Sequence, residues 1–283
     1  MKTQHNKHHI PCKICGKQSQ FAFFAQILHQ FNEPFYKCQN CGFLSCDDAH
    51  WLPQAYKNAI NISDTGIVAR NLYLYKIVSC VAAIFFGMAK REILTGGGGI
   101  SEKSLLDFGG GSGLLVRLLR DVGIECYWSD EYCENLFARG FEWQENIKPT
   151  LATCFEVFEH LPNPREQIDS MLRICPNLLF STELLPCPIP ESNGANAWWY
   201  YGFSHGQHIS FYTYKSLEFI AKAHNLHFCS YGGLHLFSEH HISPTLFKWT
   251  IRFAHHGLFA LVSRRFTPKT IIDSKMLSPD VCK

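Results

Sequence analysis

The chain has 283 residues, with 26 Lys and Arg against 24 Asp and Glu, a formal net charge of +2. That balance excludes the strong basic field with which a nucleic-acid or anionic-membrane binder draws in its partner. The length suits one large domain plus a smaller module, and 23 Phe, 11 Tyr and 6 Trp supply material for a large core.

The amino terminus is polar and has no apolar h-region, so no signal peptide is expected. Thirteen cysteines in such a chain imply reduced thiols or metal ligands, and a cytoplasmic setting. Cys12-x-x-Cys15-Gly16 and Cys38-x-x-Cys41-Gly42 are two copies of one motif, separated by 22 residues. Each can turn two thiolates toward one point, and two turns brought together make a closed four-cysteine zinc site. Four protein ligands leave no open position, so the expected role is structural. Phe21–Phe24 and Phe35-Tyr36 supply the intervening strands, and Cys46 and His50 are spare ligands nearby. A redox Cys-x-x-Cys is the other reading of each pair.

From Asp64, a candidate N-cap, the positions Ile67, Leu74, Val78, Val81, Phe85 and Met88 recur at helical spacing. The longest apolar run, Ile77 to Ala89, falls short of the ~20 residues that span a bilayer, so a buried helix and no transmembrane segment are expected. Gly96–Gly99 reads as flexible linker.

Ser104 to Arg120 then reads as a buried strand, a glycine-packed turn and an amphipathic helix. Such a unit binds nucleotides at the carboxyl end of the first strand of α/β proteins. A dinucleotide fingerprint would need its third glycine where Leu114 stands. The pattern present, Asp107-x-Gly109-x-Gly111-x-Gly113, resembles motif I of class I S-adenosylmethionine-dependent methyltransferases. The resemblance implies that Asp107, Phe108, Gly109, Gly110, Gly111 and Gly113 wrap the methionine part of the cofactor. It also makes Tyr56 and Arg70, in the preceding segment that often covers the cofactor in such enzymes, candidate contacts; a surface aromatic and a helix-face charge are their plainer readings.

Ile124 to Asp130 reads as a second strand ending in an acid, 17 residues past Gly113. A carboxylate there can accept hydrogen bonds from both ribose hydroxyls, and the resembling family holds its ribose-binding acid at this position. The competing role for Asp130 is N-cap of a helix over 131–138. Leu151 to Phe155 is a buried strand, and Glu156-Val-Phe-Glu-His160-Leu-x-x-Pro resembles the segment after the fourth strand of small-molecule methyltransferases. That places Glu156 beside the cofactor and makes His160 a structural group or a base. Trp143 and Gln144 are the nearest candidates for the adenine.

A helix over 164–174, a strand over 177–182 and a proline-rich loop lead to Trp198-Trp-Tyr-Tyr201 and His205-Gly-Gln-His208. The aromatic run suits either a stacking wall or a core segment. His-x-x-His resembles part of the acceptor loop of sugar C-methyltransferases that also carry an amino-terminal zinc module, with Gln207 where that pattern has an acid. The resemblance makes His208 the first choice of base, His205 the second and Tyr201 an orienting group. A zinc site on His205 and His208 lacks an evident third ligand. Further on, 214–224 reads as a helix, 227–232 as a strand, 243–266 as one long helix, and the remainder as a polar tail.

Alternating strands and helices predict an α/β fold: a Rossmann-like, doubly wound, mostly parallel sheet with a small amino-terminal zinc-binding module. The expected division is residues 1–50 for the zinc module, 51–99 for a helical lead-in and linker, 100–235 for the methyltransferase domain and 236–283 for a terminal helix and tail. The expected activity is methyl transfer from S-adenosylmethionine to a small-molecule acceptor of sugar, glycan or related metabolite type. A nucleic-acid methyltransferase with a zinc reader and a non-catalytic cofactor-fold protein are the alternatives. Acceptor, methylated atom and oligomeric state stay open.

Overall fold

The structure, a computed structural model, describes residues 9–57, 64–89, 103–194 and 196–278. The Gly96–Gly99 linker lies outside the described residues. In chain order the elements are β1 (His9–Pro11), β2 (Gln18–Ile27), β3 (Phe31–Cys38), β4 (Leu44–Cys46), α1 (Leu52–Ala55), α2 (Ile67–Phe86), β5 (Ser104–Phe108), α3 (Leu114–Val122), β6 (Glu125–Ser129) and β7 (Leu151–Cys154). After a single 3₁₀ turn, Phe158–His160, come α4 (Pro164–Ile174), β8 (Leu178–Ser181), β9 (Ser210–Phe211), α5 (Tyr214–Ala223), β10 (His227–Tyr231), β11 (Leu234–Ser238), α6 (Pro244–Phe253), α7 (Phe259–Ser263) and α8 (Thr270–Leu277).

The larger sheet has the order β10-β11-β8-β7-β5-β6. Its pairs β5–β6, β5–β7 and β7–β8 are parallel, while β11 pairs antiparallel with both β8 and β10. Alternation along β5 divides the core. Leu105 faces the cluster formed with α2, α3, α6 and α7, and Leu106 and Phe108 face the one formed with α4 and α5. Helices thus cover both faces, as expected for a parallel sheet. The chain leaves β5 on one side for β6 and reaches β7 on the other, so the turn after β5 sits where the strand order reverses.

The smaller sheet, β1-β2-β3-β4-β9, is antiparallel and borrows β9 from far along the chain. Its other four strands all lie within residues 9–46. Polar ties bind the module to the rest. The Thr213 hydroxyl, which also caps α5, donates to the Cys41 carbonyl at 2.6 Å, and the Trp51 indole donates to the Gly206 carbonyl at 2.8 Å.

Four local expectations differ. Asp64 does not cap α2; it pairs with Arg70 at 2.7 and 3.1 Å, and Gly66 takes the cap position. By length and composition α2 is long and apolar enough to cross a membrane, because Arg70 and Lys76 are the charged residues in an otherwise largely apolar helix. In the fold its Leu74, Ile77, Val78, Val81, Ala82 and Phe86 are buried in the core. The long helix over 243–266 is broken by a π turn at Ala254–Leu258, where Gly257 takes φ +98°. The tail is also not simply polar. α8 docks its Asp273 in a two-point ion pair with Arg120 (2.8 Å each), beside Arg117 at 2.8 Å.

Candidate functional site

The candidate site begins at the carboxyl end of β5, where open α/β sheets have their ligand cleft. Gly109, Gly111 and Gly113 all take positive φ, which lets the chain reverse within a few residues before α3. A Cβ on Gly109 would lie 2.5 Å from Val157 Cγ2, so this glycine is needed for packing. A Cβ on Gly111 would meet nothing within 4 Å at φ +54°, so this glycine faces open space. The Gly111 amide donates to Asp130 Oδ2 at 2.9 Å, and Asp130 Oδ1 accepts from the amides of Tyr132 and Cys133 at 2.7 and 2.8 Å. Asp130 thus orders a turn, and 131–138 forms no helix. The Trp128 indole closes the other side by donating to the Gly111 carbonyl at 2.9 Å.

Asp107 lies beneath this turn, buried, accepting from the Thr153 hydroxyl at 2.6 Å. Burial pushes its carboxyl up to about 7, against the lowering effect of Thr153. Just past the end of the neighbouring strand β7, Glu156 takes φ +55°, a conformation unusual for a side-chain-bearing residue. Ser181 holds it there: its Oγ accepts from the Glu156 amide at 2.9 Å and donates to Oε1 at 2.7 Å.

Beside Glu156 the 3₁₀ turn and the loop before β9 bring four titratable groups together. His208 Nδ1 lies 2.6 Å from the Tyr200 carbonyl, and His160 Nδ1 lies 3.1 Å from the Gln207 carbonyl. A carbonyl can only accept, so His208 Nδ1 carries the proton and its Nε2 keeps the lone pair; the Gln207 carbonyl favours the same tautomer for His160, whose Nδ1 also meets the Tyr56 hydroxyl. His205 is the reverse case. Its Nδ1 accepts from the Gln207 amide at 3.3 Å, which leaves the proton on Nε2. The three rings contact edge-on, at 4.8 Å (160 to 208) and 4.9 Å (205 to 208). Burial lowers all three histidine pKa values, His205 to about 4. Glu159 completes the group. It is wholly buried and, among the described residues, neither carboxylate oxygen has a hydrogen-bond partner. Burial, then the charge of Glu156, pushes its carboxyl up to about 8. Tyr56 links this cluster to the cleft: its hydroxyl meets His160 Nδ1 at 2.9 Å, and its ring stacks on Tyr132, two residues past Asp130, at 5.8 Å.

Residues 89–230, half of the chain, match the family described as a methyltransferase domain. The chain belongs to this family. Among solved structures, it resembles magnesium protoporphyrin IX methyltransferase of Synechocystis PCC 6803, solved with bound SAH. Identity is 12%, covering 67% of this chain and 93% of that one, with TM-score 0.40. It also resembles human N-acetylserotonin methyltransferase in complex with SAM, at 12% identity, 68% and 66% coverage and TM-score 0.37. An O-methyltransferase family 2 protein from Planctomyces limnophilus DSM 3776, in complex with apigenin, aligns at 14% identity, 64% and 62% coverage and TM-score 0.36. No curated protein matches the chain.

Around this methyltransferase domain the structure gathers most of the residues singled out by sequence. The glycine turn, Asp130, Glu156, Tyr56, His205 and His208 border one region. It does not bring Tyr201 there. That ring packs on Phe23, Phe203 and Phe211, and its hydroxyl donates to the Pro190 carbonyl at 3.2 Å. The aromatic run is therefore mostly core, although Trp199 stays 75% exposed. Arg70 is held by Asp64, and the Trp143 indole donates to the Ile147 carbonyl at 3.1 Å. Glu159, the Tyr200 carbonyl and Trp128 went unassigned in the sequence. Only Glu159 left a trace, as an acid next to a histidine just past a strand end.

Packed in the core cluster shared with α4 and α5, the sulfurs of Cys12, Cys15, Cys38 and Cys41 all lie within 4.8 Å of one another. Cys12 Sγ is 3.6 Å from Cys41 Sγ, and Cys15 Sγ is 3.4 Å from Cys38 Sγ. Amides of Ile14 and Cys41 donate to Cys12 Sγ and Cys38 Sγ at 3.4 Å each. Cys46 and His50 stand outside the quartet. Cys46 is buried in the aromatic core of the small sheet, and His50 lies 3.8 Å from Glu33.

Proposed function

We propose that this chain transfers a methyl group from S-adenosylmethionine to a small-molecule acceptor, of sugar, glycan or related metabolite type. The observation that carries this reading is the open face of Gly111 beside Asp130, a backbone cradle flanked by a carboxylate suited to a diol. A cofactor there would lie against Asp107, Phe108, Gly109, Gly110, Gly111 and Gly113, with Asp130 at the ribose and Glu156 and Tyr56 toward the reacting end. S-adenosylmethionine, when bound, supplies a methyl group already activated on a sulfonium. The chain has to align the acceptor, exclude water and take up a proton.

His208 is the group for that last task. With Nδ1–H fixed on the Tyr200 carbonyl, its Nε2 carries the free lone pair of a general base. His205 has the opposite tautomer and ranks behind it. We also assign a structural zinc to the cysteine quartet. Sulfur separations of 3.4–3.6 Å fit ligands arranged around Zn–S bonds of about 2.3 Å, and amides aimed at the sulfurs favour thiolates.

Calorimetry with S-adenosylmethionine tests the donor: binding is expected, and Asp130→Ala should weaken it at least tenfold. Absence of binding, or binding indifferent to Asp130→Ala, overturns the reading. Elemental analysis should find zinc, with about one equivalent lost in Cys38→Ser. For the acceptor, mass spectrometry of a metabolite mixture should show a product heavier by one methylene.

A further inference from the structure

We propose that Glu159, His160 and His208 form a two-histidine, one-carboxylate site for a first-row divalent cation, separate from the cysteine quartet. One ligating atom from each of the three lies within 4.8 Å of the other two. Small side-chain rotations would bring such atoms to the ~2.0–2.2 Å that imidazole and carboxylate ligands take.

Three further observations point to a cation. The first is the Glu159 carboxylate, buried with both oxygens unpartnered among the described residues. A buried carboxylate whose oxygens accept no hydrogen bond is costly, and a bound cation would offset that cost. The second is the fixing of both imidazoles through Nδ1 by backbone carbonyls, from Tyr200 and Gln207. This is the arrangement that orients metal-binding histidines, with the outer N–H on an acceptor and the other nitrogen free. The third is that, among the described residues, no lysine or arginine forms an ion pair with Glu159, although the charge of Arg70 is felt there. The nearby Arg70 is held by the Asp64 carboxylate at 2.7 Å.

His160 and His208 are only partly buried while Glu159 is fully so, which leaves the imidazole side of the trio nearer to solvent. Three protein ligands leave coordination positions open. An imidazole and carboxylate set suits zinc or iron(II) over calcium or magnesium. The inference rests on the proposed methyl transfer and deepens it: the acceptor would be one that offers an oxygen ligand, such as a hydroxyl, phenol, enol or carboxylate. A cation on His208 would take over from the free imidazole the task of lowering that oxygen's proton affinity.

The test is titration of the full chain, zinc retained at the cysteines, with cobalt(II). One added equivalent should give visible d–d absorption without a thiolate-to-cobalt charge-transfer band. Glu159→Gln should abolish that equivalent while leaving the cysteine-bound metal and the unfolding midpoint in place. Should Glu159→Gln fail to fold, His208→Gln is read in its place. Cobalt bound only with the thiolate band, or a second equivalent indifferent to both substitutions, overturns the site. The readout needs no cofactor. Failure of S-adenosylmethionine binding with cobalt binding intact would sink the methyl-transfer reading alone, and the converse would sink this one alone.

Discussion

Asp107 shows how a single buried group sets a pH dependence. Its folded pKa of about 7 lies above the 3.8 of an ordinary Asp, so the folded chain holds a proton that the unfolded chain has released. Stability from this group is therefore full below about pH 4 and declines as pH rises to 7, by up to about 1.4 kcal/mol per pH unit. Chemical denaturation of Asp107→Asn against the parent chain should show the variant gaining relative stability across that window. The histidines act the other way. Burial lowers His208, so it stays neutral below its ordinary 6.5. In the metal-free chain the acidic limb of kcat/KM should therefore fall below pH 6.5. His208→Ala should lower kcat by about 10²–10⁴ with S-adenosylmethionine affinity unchanged. Gly111→Ala is expected to cut cofactor affinity, measured by calorimetry, because it fills the open face and strains a positive φ.

The elements that matter most are those whose neighbours lie far away in sequence. α8 is anchored through Asp273, which sits almost fully buried between Arg117 and Arg120, and Arg120 also reaches Glu125. Removing one partner leaves guanidinium charge uncompensated in the interior. Asp273→Ala should cost about 3–5 kcal/mol in urea unfolding, more than deletion of an exposed pair. The segment Trp51–Tyr56 works as a strap. Trp51 is tied to Gly206, Gln207 donates to the Ala55 carbonyl at 3.1 Å, and Tyr56 touches His160. Trp51→Ala should therefore destabilise the chain by about 3–5 kcal/mol and disturb the histidine cluster together with the module.

Across the whole molecule, the small sheet and the large one are interlocked by β9 and by contacts such as Thr213 with Cys41. That interlocking joins segments far apart in the chain. Pairing between residues 44 and 211 carries no local signal in either short strand. Asp273 was illegible for the same reason: its neighbours in sequence look like tail, and its partners lie some 150 residues earlier. What was legible is what short-range physics encodes. Apolar strands ending at Asp107 and Asp130, a turn that only glycines can make, and paired Cys-x-x-Cys turns each announce their conformation within a few residues. From these the α/β class, the methyltransferase resemblance and the cysteine quartet could be read directly. Only the tertiary structure decided that Glu159, His160 and His208 meet, which histidines keep a free Nε2, and that Tyr201 turns into the core. Those outcomes depend on which backbone carbonyl or aromatic ring arrives from a distant element, and a linear pattern holds no record of that.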